Sequence, residues 1–285
     1  MNTLAIPRPK SVQNPARLAD QGLVAAGGFW LLVTLLGQWA FFSYIAAFYG
    51  PAMATGQYEA WDALSALGAK AYVPGDDAGN RTFGFHALAA GIIALGGALQ
   101  LVPQVRKRWP TFHRWNGRLF LVTVIGLSLS GFYLVWVRGP APDRFSEFST
   151  TFNGVLILSF AALAWRTAVA RKIVQHRRWA IRLYLVSNGQ WFLRIGLFSY
   201  FVVSMGLGRK PSFGDPFLSV WVWGCYLVPI AIAEVYFQAR DRGGATARWA
   251  AAGLIGLLTL LMAVGIVVFG VFSMGILSGK APSMG

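Results

Sequence analysis

The sequence predicts an all-α fold, a polytopic membrane bundle of about seven transmembrane helices, and three observations predict it. Of the 285 residues, 56% are hydrophobic and only 12% are charged, too few to coat a soluble domain of this size. Apolar runs of about 20 residues, the length that spans hydrocarbon at 1.5 Å per residue, recur along the chain. The short alternating segments of a membrane β-barrel are missing from it.

In chain order, residues 1–26 are polar and proline-containing and read as a flexible cytoplasmic arm. They hold no apolar core of signal-peptide type. The remainder, 27–285, reads as one transmembrane domain with spans near 28–49, 83–104, 118–137, 149–169, 182–205, 217–239 and 249–273. The longest loop, 50–82, carries Glu59, Asp62, Asp76 and Asp77 and ends in the sequon Asn80-Arg81-Thr82, a weak pattern so close to a span. Pro229 marks the one clear mid-span break, and the last span reads as a peripheral packing helix. The lone cysteine, Cys225, excludes an intramolecular disulfide and a CxxC metal site, and is expected to be a small core residue.

The net charge of +15 is distributed in short loops beside the apolar runs, which argues against a nucleic-acid partner. Seventeen Lys and Arg fall in the arm and the stretches 105–118, 166–182 and 240–248, against seven on the other side. That bias predicts an inner (plasma) membrane protein with a cytoplasmic amino terminus and an outer carboxyl terminus.

Two of the basic loops resemble each other. His113-Arg114-Trp115-Asn116-Gly117-Arg118 pairs with His176-Arg177-Arg178-Trp179-Ala180-Ile181-Arg182. In both, Trp precedes Arg by three positions, so the two share a helix face. The stretches 83–137 and 149–205 then read as pseudo-repeats forming a central four-helix bundle about an axis along the membrane normal. That symmetry would bring His113 and His176 together, although the one-residue offset of the histidine turns it by about 100°. The tryptophans and arginines equally suit anchoring at the lipid headgroups.

Two features lie inside the spans. His86, Ala90, Gly97, Gln100 and Gln104 form a narrow small-and-polar stripe on a continuous helix, expected to face other helices or a flat ligand. Arg194 lies 12 residues beyond Arg182, about 18 Å deep along a helix, where a charge normally faces the bundle interior. The acid inside an apolar run, Glu234, sits at a different depth, so Arg194 is expected to meet a ligand carboxylate, a quinone oxygen or a haem propionate.

At these positions the chain resembles a bacterial family of multi-pass membrane proteins known as domain of unknown function 2306. The resemblance rests on His86, Gly96 or Gly97, Gln100, the run His113 to Arg118, the run His176 to Arg182, and Arg194, across roughly 83–200. It implies membership and no particular activity.

Three functions compete. The first is a haem-b or quinone-linked electron-transfer module for a membrane redox partner. Here His113 and His176 are the metal ligands, and His86, Gln100, Arg118, Arg182 and Arg194 help hold the cofactor. The second is a secondary transporter or a lipid- or small-molecule-binding protein, for which broken helices would speak. The third is a non-catalytic assembly factor. No catalytic residue is assigned, since neither HExxH nor a nucleophile–base–acid set is present.

Overall fold

The computed structural model describes residues 15–67, 71–139, 143–212 and 214–279, and among these it contains helices and turns but no strand. The helices are α1 (Pro15–Thr55), α2 (Asp77–Gly96), α3 (Pro103–Arg108), α4 (Pro110–Trp136), α5 (Arg144–Val169), α6 (Ile173–Ser187), α7 (Gly189–Gly206), α8 (Pro216–Arg242) and α9 (Ala245–Leu277). Six of them are long and apolar enough to cross a membrane: α1, α2 with its short extension to Leu101, α4, α5, α8 and α9.

Local sequence sets the boundaries. Asp143 caps α5 by accepting from the Ser146 backbone N–H at 2.8 Å. Pro103, Pro110 and Pro216 each sit at a helix start, where a missing N–H costs nothing. After Gly96 the chain tightens into a 3-10 turn, Ala98–Leu101, before α3. The expected stripe from His86 to Gln104 is therefore not one continuous face, because Gln100 and Gln104 lie beyond the end of α2.

Three further expectations change. The arm is shorter than expected: α1 is already helical at Pro15, and Ala19 and Leu23 are fully buried against α9 and its neighbours. The first 14 residues lie outside the described ones. Within the expected loop 50–82, α1 continues to Thr55, a 3-10 segment follows at Tyr58–Leu67, and Trp61 is buried among Tyr49, Tyr58 and Phe83. Asn80 is 1% exposed and bonded to both backbone groups of Val73, so the sequon is sealed.

The third change matters most. The expected span 182–205 is not one helix but two, parted at Asn188, while α8 runs unbroken through Pro229. Ser187, Asn188 and Gly189 explain the break. Short polar side chains compete for backbone groups: Asn188 Nδ2 donates to Tyr184 O at 2.7 Å, and Ser187 Oγ donates to the same carbonyl at 3.0 Å. Glycine then adds its own penalty against continuing the helix.

Around the molecule, α1 packs on α2, α2 on α4, α4 on α5 and α5 on α6. Both α6 and α7 pack on α8, α7 packs on α9, and α9 returns to α1, closing a ring. The pair α1 and α9 run parallel, with Gly22 against Trp249 near their starts and Phe41 on Phe269 further along. The basic loops gather at one end, where Arg178 pairs with Asp241 and Arg248 reaches Ala239 O and Ala16 O.

Candidate functional site

The expected site residues fall into two groups, one at the basic end and one inside the ring. At the basic end, Gln100 turns its amide nitrogen to His113, donating to Nδ1 at 3.0 Å and to the backbone oxygen at 3.3 Å. Its Oε1 accepts from the Gly117 N–H at 3.2 Å. Asn116 Nδ2 donates to Gly96 O at 2.9 Å, answering a carbonyl that the end of α2 leaves open. A Cβ on Gly96 would come within 2.7 Å of the Asn116 amide, which accounts for glycine there. The His-Arg-Trp-Asn-Gly run is thus a clamp holding α4 onto the end of α2.

That clamp fixes the chemistry of His113. In that amide orientation Nδ1 accepts from Gln100, which places the ring proton of the neutral imidazole on Nε2, a proton that would have to leave before Nε2 could ligate a metal. His176 has the opposite arrangement: its Nδ1 lies 3.0 Å from Ala164 O and donates to it, leaving the Nε2 lone pair free. The two rings are within electrostatic reach of one another. Arg182 makes a two-pronged pair with Glu234, at 2.6 and 3.0 Å, and stacks over Trp179 at 4.6 Å. Arg118 stacks over Trp115 at 4.8 Å. The shared Trp–Arg face is therefore present in both loops. Among the described residues no group of three or more His, Cys, Asp or Glu is placed to hold a metal.

The second group lies inside the ring. Ser130 Oγ donates to Gly126 O at 2.8 Å, so at 2.8 Å from His86 Nδ1 it accepts the imidazole proton. Arg194, in the second turn of α7, donates from Nη1 to Gln190 O at 2.8 Å, and its guanidinium lies 5.7 Å from the Phe41 ring centre. His86, Tyr44, Tyr49 and Cys225 all lie within its electrostatic reach. The ion pairs among the described residues join Asp76–Arg138, Arg144–Glu147, Arg178–Asp241 and Arg182–Glu234. Arg194 is in none of them. Its side chain stays partly accessible, and Gln190, one turn earlier on the same face, is exposed.

Beside Arg194 the helix break gathers polar groups that the sequence reading did not single out. Gln38 of α1, with no exposed surface, donates to Asn188 Oδ1 at 2.6 Å. The Asn153 amide lies beside Gly189, 3.0 Å from where a Cβ would be. Gln38 Oε1, Asn153 Oδ1, the Tyr184 hydroxyl and Trp191 Nε1 are buried with no partner among the described residues. Each such group costs about 1–3 kcal/mol while unmet, so this part of the interior is made for something polar. The signals were the Ser187-Asn188-Gly189 triplet and the amide of Gln38 in an apolar span.

A family model described as "Predicted membrane protein (DUF2306)" matches residues 83–237, more than half of the chain and all of both groups except the α1 residues. No curated protein matches, and no solved structure matches.

Proposed function

This chain belongs to the DUF2306 family of predicted membrane proteins, and we propose that it is a multi-pass protein binding a small carboxylate with an apolar body at Arg194, inside the helix ring, as a secondary transporter or carrier. One observation carries the reading: an arginine with no acidic partner among the described residues sits one turn beyond a break between two helices. A charge at such depth costs about 2.5–3.5 kcal/mol on insertion scales, and an anionic ligand offsets that cost. The amino-terminal end of α7 adds partial positive charge beside it, as half-helices do at anion sites in transporters. Gln190 and the break cluster supply the polar contacts around the ligand. In this reading the basic end faces the cytoplasm of the plasma membrane, in line with its Lys and Arg.

Thermal denaturation of the detergent-purified protein against matched acids and their neutral amides tests it. Apolar monocarboxylates are expected to raise Tm at concentrations where the amides do not. Equal stabilisation by acid and amide would remove the anion site and favour a neutral acceptor such as a quinone.

A second reading places b-type haem between His113 and His176, and the Nε2 lone pair left on His176 favours it. The Gln100 donor at His113 Nδ1 and the Glu234 pairing of Arg182 weigh against it. A Soret band lost in both His113→Ala and His176→Ala would establish haem there. A reduced-minus-oxidised spectrum with no haem bands, after expression with ample haem, would dismiss it.

A further inference from the structure

A groove on the outer face of the ring, away from Arg194, has the shape and charge of a lipid site. Its form follows from how α4 and α5 cross. Towards the end away from the basic loops they touch closely: Trp136 Nε1 donates to Thr151 Oγ1 at 2.9 Å, and Gly154 leaves room for Phe132, whose ring would lie 2.5 Å from any Cβ there. Towards the basic end, Ala161 and Ala162 present only methyl groups to α4, so the helices leave a gap. The gap holds about 570 Å³ and is lined by Val122 and Ile125 on one side and Leu158 and Ala162 on the other, with Arg118 and Trp165 at its mouth.

Charge and aromatic placement say what covers it. Arg118 is exposed, and Trp115, on which it stacks, and Trp165 are 64% and 49% exposed, so this end of the groove combines cationic and indole groups of the kind that sit at headgroup level. From Arg118 to Ile125 the groove descends about 10 Å along α4, which stays within one leaflet of a hydrocarbon core about 30 Å thick. We propose that this groove binds one anionic phospholipid, its phosphate on Arg118 and one acyl chain lying between α4 and α5. The guanidinium is already oriented by stacking on Trp115, which lowers the ordering cost of meeting a phosphate.

Native mass spectrometry of the full chain released from nanodiscs of equimolar phosphatidylglycerol and phosphatidylcholine tests the proposal. The wild type is expected to retain one phosphatidylglycerol in preference to phosphatidylcholine. Arg118→Gln should weaken that retention by about tenfold, the order expected for losing one charge-assisted hydrogen bond, while Arg118→Lys keeps most of it. Ala162→Trp, an exposed position that fills the groove, should reduce retention of both lipids. Equal retention of the two lipids by the wild type would overturn the proposal. So would an unchanged Arg118→Gln or Ala162→Trp, or a groove covered by a second copy of the chain, seen as a dimer that Ala162→Trp dissociates.

Discussion

Arg138 ties down the end of the segment between α1 and α2. From the end of α4 its guanidinium reaches Asp76 Oδ2 at 3.1 Å, Ala71 O at 3.2 Å and the Asn80 side chain, with only 5% of its own side chain exposed. The Gly79 N–H holds the Asp76 carboxyl below the usual carboxylate range, against the opposing effect of burial and with the help of Arg138. A carboxyl depressed in the folded state stabilises above its unfolded value of about 3.9, and that stabilisation is lost as pH falls through the folded value. Limited proteolysis within residues 56–76 is therefore expected to speed up below about pH 4. Asp76→Asn keeps the helix cap and removes the charge, so it should show fast cleavage at neutral pH already. Cleavage that ignores both acid and the substitution would show that this lock does not hold the segment. None of it was legible beforehand, because the sequence marks Asp76 and Arg138 only as charges at the ends of spans. Their pairing across 62 positions depends on how α2 and α4 pack.

Between residues and the whole, the separation of α6 from α7 decides where the buried polar groups lie. Hydropathy predicted a span at 182–205, and a chain segment of that position is present, yet averaging over some 20 residues hides one short interruption. The interruption is local chemistry, Ser187-Asn188-Gly189, and it is completed from a distant helix by Gln38. Gln38→Leu would leave Asn188 Oδ1 buried without a donor, so a loss of about 1–3 kcal/mol is expected in the melting of the protein. Gln190→Ala, on the accessible face, should change stability by less than about 0.5 kcal/mol. Equal effects of the two would mean that the Gln38–Asn188 contact carries no weight. The two look-alike loops were legible as motifs, and their Trp–Arg stacks formed as the spacing required. The use of His113 was not legible, since it follows from the 3-10 turn that brings Gln100 back onto α4.

Across the molecule, the membrane class and the helical bundle follow from composition and run length alone, because hydrocarbon leaves few other ways to satisfy a backbone. The ring order does not: α1 lies between α2 and α9, with Gln38 bonded to Asn188 and Phe41 beside Arg194, a placement no periodicity announces. The proposed orientation predicts that cysteines placed at Arg17 and Arg242, in a Cys225→Ala background, react with a charged thiol reagent from the cytoplasmic side. Cysteines at Arg144 and Arg209 should react from the other. Labelling of all four from one side would reject the alternation of helices. In the proposed function Arg194 gives the interior its affinity for an anion. The equilibrium binding of a stabilising monocarboxylate to the wild type and to Arg194→Gln, followed by tryptophan fluorescence, tests it most directly. A Kd at least about tenfold weaker is expected in Arg194→Gln, from the roughly 1.5–3 kcal/mol of a hydrogen bond to a charged group, with affinity for the matching amide unchanged. Equal carboxylate affinity in the two proteins would contradict it.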